Sequence, residues 1–471
     1  MRFIDRSDEL GLIRERMASE RAEFLVVYGR RRVGKTALMM QVVAEYGGAI
    51  LMGREESKKL QLGRFARQLG ELFADEYVSR NGFVDWDAFF DYLASRADKG
   101  RVLVVLDEFP YLVKEDPSLP SILQERWDLR LRNTQLFLVI MGSSISMMEG
   151  LLGHKSPLYG RRTGQLRIRP FRFTDFAPLV GDPKHAVELF SVFGGTPAHL
   201  VGLELDSPLE DCISEHFGRP GSPISQDVLF LLREEFDEPR YYFSIMEAIA
   251  LGNTSLGTIM NHTGLERGLV GKYLSILREL DLVRREVPVT SSSRTKHGLY
   301  SLSDNILTFW FRFVFPWEDL IELGRGAEVL RIIKRDLGSH IGLAFEDICR
   351  QAMWDLVDER YTRIGRWWDG HDEIDIVALN SQTHELAALE VKWRELRTKD
   401  ARAICRSVEQ KVGSIGWNQR SRTVRTGVFA QRIEGKQVLR AEGYLAFDLR
   451  DILGKRSKTD IGPKDVEAAT H

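Results

Sequence analysis

Cysteine is scarce. Cys212, Cys349 and Cys405 are the only three in 471 residues. Three scattered thiols build neither a disulfide framework nor a thiolate zinc site, so the expectation is a reducing compartment and a cytoplasmic location. Long apolar runs are missing as well. None approaches the ~18 residues of a membrane-spanning helix, which excludes a helical span. The opening Met1-Arg2-Phe3-Ile4-Asp5-Arg6 lacks the apolar core of a secretion signal. Charge of one sign is not in excess: 66 Lys and Arg stand against 68 Asp and Glu, for a net charge of −2. Any nucleic-acid contact must therefore come from a local basic face. Internal repeats and low-complexity segments are absent. What is there is an ordinary globular composition, 43% hydrophobic and 28% charged, in a chain long enough for two to four domains.

The chain changes character several times. Up to residue 204, nearly continuous apolar runs (Phe24 to Tyr28, Val102 to Leu106, Leu136 to Met141) alternate with amphipathic stretches. Such runs suit strands of a parallel sheet covered on both faces, and the alternation gives an α/β doubly wound core. Short strands are expected at Ala49 to Met52 and Leu166 to Ile168. Residues 205–240, rich in Pro, Gly, Asp and Ser, read as a helical lid or bridge. Residues 241–303 hold three helical stretches and then two strands around a polar loop, Ser291 to His297, which is a winged-helix pattern. Residues 304–340 read as a helical connector whose aromatics, Phe309, Trp310, Phe311, Phe313, Phe315 and Trp317, form core, with an aromatic platform for nucleic acid as the alternative. Residues 341–453 read as a second α/β domain that opens on a helix from Ile341. The tail 454–471 is polar and expected to be disordered.

Gly29-Arg30-Arg31-Arg32-Val33-Gly34-Lys35-Thr36 fits G-x4-G-K-[ST], after an expected strand and before the expected helix Ala37 to Tyr46. The two glycines let backbone N–H groups converge on phosphate oxygens, and the helix start adds partial positive charge. Lys35 is the candidate for the β- and γ-phosphates and Thr36 for Mg²⁺. Arg30, Arg31 and Arg32 are unusual inside such a loop; they are either solvated or in contact with a neighbouring subunit or domain. The strand run from Val102 ends in Asp107-Glu108, which puts Asp107 near Mg²⁺ and makes Glu108 the group that orients and polarises water. Ser143 or Ser144, after the next strand, either senses the γ-phosphate or caps a helix. Arg161 and Arg162 are candidates for an arginine finger in cis or trans, or a surface basic pair. The reading is an ATP·Mg²⁺ site.

These segments resemble the archaeal-type ATPases of the wider AAA and STAND group. The resemblance rests on Phe3-Ile4-Asp5-Arg6-Ser7-Asp8-Glu9-Leu10, Asp107-Glu108-Phe109-Pro110-Tyr111-Leu112, Ser156-Pro157-Leu158-Tyr159-Gly160-Arg161-Arg162 and Gly194-Gly195-Thr196-Pro197. It implies a nucleotide-driven switch, a helical lid, a winged helix and a place for Pro197 near the adenine.

A second constellation lies downstream. Asp375 opens one expected strand, and Glu390 and Lys392 share a face of the next. A turn at Asn380 to Glu385 brings the start of the first beside the end of the second, so the three converge. Two carboxylates and a lysine suit Mg²⁺-dependent phosphodiester hydrolysis. The set resembles the PD-(D/E)XK nucleases, with Ile374 where their name carries proline, and Glu346 matches the acid those enzymes often carry on their first helix. The resemblance implies Glu346, Asp375 and Glu390 as metal ligands. Residues 310–420 also resemble the domain of unknown function that is fused to such ATPases. Arg267, Lys272 and Arg278 on the third helix of the winged-helix segment, with Arg284, Arg285, Arg294 and Lys296 on the wing, are candidate contacts to double-stranded DNA; acids among them dilute the charge. The expectation is an ATP-hydrolysing switch that controls DNA binding or cleavage by the C-terminal domain. The alternative is a regulatory or scaffold ATPase with an inactive nuclease fold, acting through protein partners. A homo-oligomer is compatible with either.

Overall fold

The computed structural model describes residues 6–454 apart from 237, 293, 294, 296 and 358–360. Arg294, Lys296 and the tail beyond Gly454 lie outside the described residues. The chain divides into two compact units, the first made of residues 1–170 with 196–198, the second of 171–195 with 199–471.

The first unit is built on five parallel strands in the order β2-β3-β4-β1-β5. They are β1 (Glu23–Tyr28), β2 (Ala49–Met52), β3 (Val102–Asp107), β4 (Leu136–Gly142) and β5 (Gly164–Arg167). Alternate side chains of each central strand feed opposite faces, and both faces are dry. Phe24, Val26, Val104, Leu106, Leu138 and Ile140 pack on one side with Phe65, Trp86, Phe89 and Trp127. Leu25, Val27, Leu103, Val105, Phe137 and Val139 pack on the other with Leu38, Met39 and Val42 of the helix Lys35–Tyr46. Burial on both faces is why these runs carry no polar alternation. Each such side chain contributes roughly 1.5–3 kcal/mol. The frame therefore holds the strand ends, where polar residues gather, in fixed positions.

The helices Phe173–Val180 and Pro183–Phe193, within the segment read above as ATPase core, cluster instead with the second unit. Their aromatic faces account for it: Phe193 stacks on Phe217 at 5.6 Å, and Phe217 meets Phe309 at 5.0 Å. After the helices Leu209–Phe217 and Pro223–Glu235 come three more, Pro239–Ala250, Leu256–Thr263 and Arg267–Glu279. An antiparallel ribbon follows, β6 (Val283–Glu286) with β7 (Leu299–Leu302). Phe309, Trp310, Phe311 and Phe313 are buried, whereas Trp317 is 37% exposed. The helix expected from Ile341 begins earlier and runs unbroken over Gly326–Leu356. Gly338-Ser339-His340 looks like punctuation, yet Ser339 returns its hydroxyl to Asp336 O at 2.8 Å and His340 is buried against Ser191 O, so the helix passes straight through.

The last sheet is mixed, in the order β12-β11-β10-β9-β8. β9 (Glu373–Asn380) pairs antiparallel with β10 (Glu385–Leu396), with Leu379 opposite Leu386 and Ile376 opposite Leu389. β11 (Thr423–Ile433) and β12 (Leu445–Asp448) add in parallel. β8 (Arg363–Trp368), which sequence reading did not find, is an edge strand interrupted by an irregularity between Gly365 and Trp367. The helix Thr398–Val412 connects β10 to β11, burying Ala401, Cys405, Val408 and Val412.

Candidate functional site

The loop after β1 curls where the glycines require it. A Cβ on Gly29 would stand 2.2 Å from Ile168 O, so no other residue lets the loop pass β5 this closely. Gly34 has φ +92°, in the region that favours glycine. The loop is also clamped from outside by Arg6, 7% exposed, which donates to Val33 O at 2.7 Å and to Arg169 O at 2.8 Å. Lys35 is 6% exposed and folds back, its Nζ donating to Gly29 O and Arg30 O, both at 2.9 Å. Arg31 donates to the Tyr111 hydroxyl at 3.0 Å, while Arg32 is exposed and takes φ +67°. Val33 is buried and Ala37 is exposed on the first turn of the helix. Pro197 sits beside the loop, 3.8 Å from where a Gly34 Cβ would be.

The end of β3 faces this loop. Thr36 donates its hydroxyl to Asp107 Oδ2 at 2.9 Å, and Asp107 is 1% exposed. Burial pushes the Asp107 carboxyl above its ordinary value, more than the Thr36 hydrogen bond lowers it. Glu108 adopts φ +50°, which turns its side chain off the strand line. Its Oε2 accepts from Ser143 Oγ at 2.9 Å and from Ser143 N at 3.3 Å. Ser144 instead caps the helix Ile145–Leu152, so the two serines divide the alternatives: Ser143 touches the acidic pair and Ser144 ends a helix. Arg161 is committed to Asp128, with Nη2 2.6 Å from Oδ2, and to Pro157 O at 2.8 Å. Arg162 donates to Leu152 O at 3.3 Å. Neither is brought into contact with the loop by any of these bonds.

In the mixed sheet the expected convergence takes place. Asp375 Oδ2 accepts from Val391 N at 2.8 Å and lies 4.0 Å from Lys392 Nζ. Lys392 donates to Glu390 Oε2 at 2.7 Å. Sequence reasoning missed Lys411, on the following helix, which donates to Glu390 Oε1 at 2.7 Å and to Glu373 O at 3.0 Å. Burial and the neighbouring Glu390 push Asp375 to about 6. Burial and Asp375 push Glu346 to about 7. Burial also acts to raise Glu390, but the hydrogen bonds from Lys392 and Lys411 outweigh it and hold that carboxyl below its ordinary value.

Among the described residues, no three His, Cys, Asp or Glu side chains are grouped as ligands of one ion. Glu346 feels the charge of Asp375, and Asp375 that of Glu390; both Glu390 oxygens accept from lysines. At the ribbon, Arg284 is turned inward to an ion pair with Asp347 and a hydrogen bond to Ser301 Oγ at 2.8 Å. Arg267, Lys272 and Arg278 are exposed on their helix.

A parallel sheet with β1 followed by a phosphate loop, and an acidic pair ending β3, defines a P-loop ATPase core. Comparison with known proteins agrees. Residues 3–203 match the family described as an ATPase domain predominantly from Archaea. Residues 310–404 match one described as Archaea bacterial proteins of unknown function. Over 459 residues the chain is 34% identical to the uncharacterized protein MJECL04 of Methanocaldococcus jannaschii, an alignment that covers 95% of this chain and 99% of that one. In fold it is similar to the Walker-type ATPase paby2304 of Pyrococcus abyssi, with TM-score 0.50 and 18% identity over 66% of this chain and 96% of that one. The chain belongs to the family of P-loop ATPases that carry this predominantly archaeal ATPase domain, with MJECL04 as a relative along nearly its whole length. No helix among the described residues is long and apolar enough to cross a membrane.

Proposed function

We propose that the chain is an ATP-hydrolysing switch whose nucleotide cycle controls DNA binding or Mg²⁺-dependent DNA cleavage by the domain that carries Asp375, Glu390 and Lys392. The observation that carries this reading is the Thr36–Asp107 hydrogen bond of 2.9 Å at the mouth of the phosphate loop. A hydroxyl and a buried carboxylate side by side are the hard oxygen donors that Mg²⁺ takes. Burial raises Asp107, and a cation there would offset that. Bound Mg²⁺ would supply positive charge to the β- and γ-phosphates.

The remaining roles fall to this chain's own groups. The Lys35 ammonium leaves two neutral carbonyls for phosphate oxygens, and the loop amides hold the rest of the tail. Glu108 accepts a proton from, or orients, the attacking water. Ser143 fixes the Glu108 carboxylate and releases it when the γ-phosphate competes for the hydroxyl. Pro197 and Arg32, the exposed arginine of the loop, would border the nucleotide. In the mixed sheet, Asp375 and Glu390, with Glu346 beside Asp375, are the carboxylates that would hold Mg²⁺. Lys392 would stabilise charge on the phosphate.

The test is ATP turnover and plasmid cleavage by the full chain, in Mg²⁺ and Mn²⁺. Lys35→Ala is expected to abolish turnover. Glu390→Ala and Lys392→Ala are expected to abolish cleavage and leave turnover within about twofold. A second reading has its own support. Both Glu390 oxygens are bonded to ammonium groups, which fits a regulatory ATPase with a silent nuclease fold. Absence of cleavage by the wild type in either metal would favour it.

A further inference from the structure

One arginine of the phosphate loop crosses to a neighbouring element. Arg31 donates from Nη2 to the Tyr111 hydroxyl at 3.0 Å. Tyr111 belongs to the helix Phe109–Glu115, which starts directly after Glu108, and its N–H donates to Glu108 O at 3.0 Å. The tyrosine therefore stands on the first turn past the acid read as orienting water. Two side chains thus join the loop to one stretch of chain: Thr36 bonds Asp107 at 2.9 Å, and Arg31 bonds Tyr111. Arg31 and Tyr111 are both half-buried.

The loop fixes the other end of Arg31. Lys35 Nζ lies 2.9 Å from Arg30 O, and the Arg31 Cα is two bonds past that carbonyl carbon. A γ-phosphate that draws Lys35 from this carbonyl arrives beside the Arg31 backbone. The water that attacks it is oriented by Glu108, one turn before Tyr111. Arg31 spans the interval between these two points. A guanidinium presents paired N–H donors that match two phosphate oxygens at once. In phosphoryl transfer, charge spreads over the γ-phosphoryl oxygens, and an arginine placed there contributes about 10³- to 10⁵-fold in kcat. The bonds of Arg161 and Arg162 lead to Asp128 and Leu152 O instead.

We propose that Arg31 is a catalytic residue supplied in cis by the phosphate loop, its guanidinium meeting the γ-phosphate as charge develops there, and that Tyr111 is the positioning residue that aims it. The role rests on the ATPase reading given above. In the step it serves, the water oxygen bonds to the γ-phosphorus and the bond from phosphorus to the β,γ-bridging oxygen breaks. The bridging oxygen keeps the electron pair and leaves with ADP, and the water proton passes to Glu108.

The test measures phosphate release from ATP by the full chain, with thermal midpoints alongside. Arg31→Gln is expected to lower kcat by about 10³-fold. Binding of a fluorescent ADP should stay within about twofold of the wild type, whereas the tighter binding that aluminium fluoride confers on ADP, as a transition-state mimic, should be lost. Arg31→Lys keeps the charge without the paired donors and should recover only part of kcat. Tyr111→Phe removes one hydroxyl and is expected to lower kcat about five- to tenfold with KM and thermal midpoint unchanged. In the Arg31→Gln background the same change should have almost no effect, because the two act as a unit. A loss smaller than about tenfold in Arg31→Gln would overturn the proposal. So would a Tyr111→Phe chain that melts lower with kcat unchanged, or one that lowers kcat equally in both backgrounds. Lys35→Ala separates the two readings. If it still turns over ATP, the nucleotide site is misassigned and the role of Arg31 goes with it; if it is silent while Arg31→Gln is active, the role of Arg31 alone is lost.

Discussion

Arg6 lies far from Val33 and Arg169 in sequence, and its guanidinium is the clasp that ties them together. Replacement by Met keeps most of the stem's volume and removes the charged head. Two carbonyls then lose their donor, Val33 O at 2.7 Å and Arg169 O at 2.8 Å, and Glu9 loses its ion-pair partner at 3.0 Å. A hydrogen bond to a charged group contributes about 1.5–3 kcal/mol. Water reaches part of the vacated space, which argues for the low end, about 3 kcal/mol for the pair. If half of that had been ordering the loop for phosphate, ATP affinity falls about tenfold, since ~1.4 kcal/mol is a factor of ten. The assay is titration of a fluorescent ATP analogue, run beside thermal unfolding. Arg6→Lys regains one carbonyl and falls between the two. An Arg6→Met chain that is folded and binds ATP within twofold of the wild type would refute the clamp.

Glu108→Gln is expected to bind ATP normally and lose turnover by about 10²- to 10⁴-fold, the usual range for a water-activating group; near-normal steady-state rates would remove Glu108 from that role. Ser143→Ala frees the same carboxylate without removing it, so its turnover should lie between the wild type and Glu108→Gln. Gly29→Ala puts a Cβ 2.2 Å from Ile168 O; either β5 or the loop must move, and a binding titration that reveals no loss would contradict this packing. Asp375 is raised to about 6 and Glu346 to about 7, so the folded chain holds protons that the unfolded chain releases near pH 4. Stability contributed by these groups is therefore fully present at low pH and falls as pH rises from about 4 to about 7. Asp375→Asn keeps an acceptor for Val391 N and is expected to raise the metal-free thermal midpoint at pH 7.5; a lower midpoint would show that the charge is well accommodated.

How far the sequence could be read follows from where each signal is stored. Strands β1, β3 and β4 announce themselves because both faces of the sheet are dry there, which leaves unbroken apolar runs. Thr36 and Asp107 could be paired on paper because loop and strand end are each local motifs. The approach of Asp375 to Lys392 needed only a hairpin and its register. Lys411 was hidden because its partner Glu390 lies across a helix and a turn, and a lysine near a helix end ordinarily means solvent. Arg6 was visible as part of an opening motif, but its hydrogen bonds to Val33 and Arg169 exist only after the chain has folded. β8 escaped notice because Arg363-Ile364-Gly365-Arg366 does not alternate as a strand should, and an edge position tolerates that. The inward turn of Arg284 could not be anticipated from a ribbon that reads as a basic wing; it depends on Asp347, on a distant helix.

The lysines of the two sites rest on different acceptors, and that difference bears on how a switch can work. Lys35 lies against two neutral carbonyls at 2.9 Å. A neutral acceptor contributes about 1 kcal/mol, and a triphosphate outbids it at once. Lys392 and Lys411 both lie against one carboxylate, each at 2.7 Å. Charge-assisted bonds are roughly twice as strong, so a phosphate arriving alone has little to offer them. Glu390 would hold a divalent cation only by giving up these bonds, which would leave two ammonium groups in need of a new anion. The ATP site is thus ready for its ligand. On the proposed reading the carboxylate–lysine site would stay latched until metal and phosphate arrived together, and a shift of Lys411 by even one hydrogen-bond length would loosen the latch beforehand.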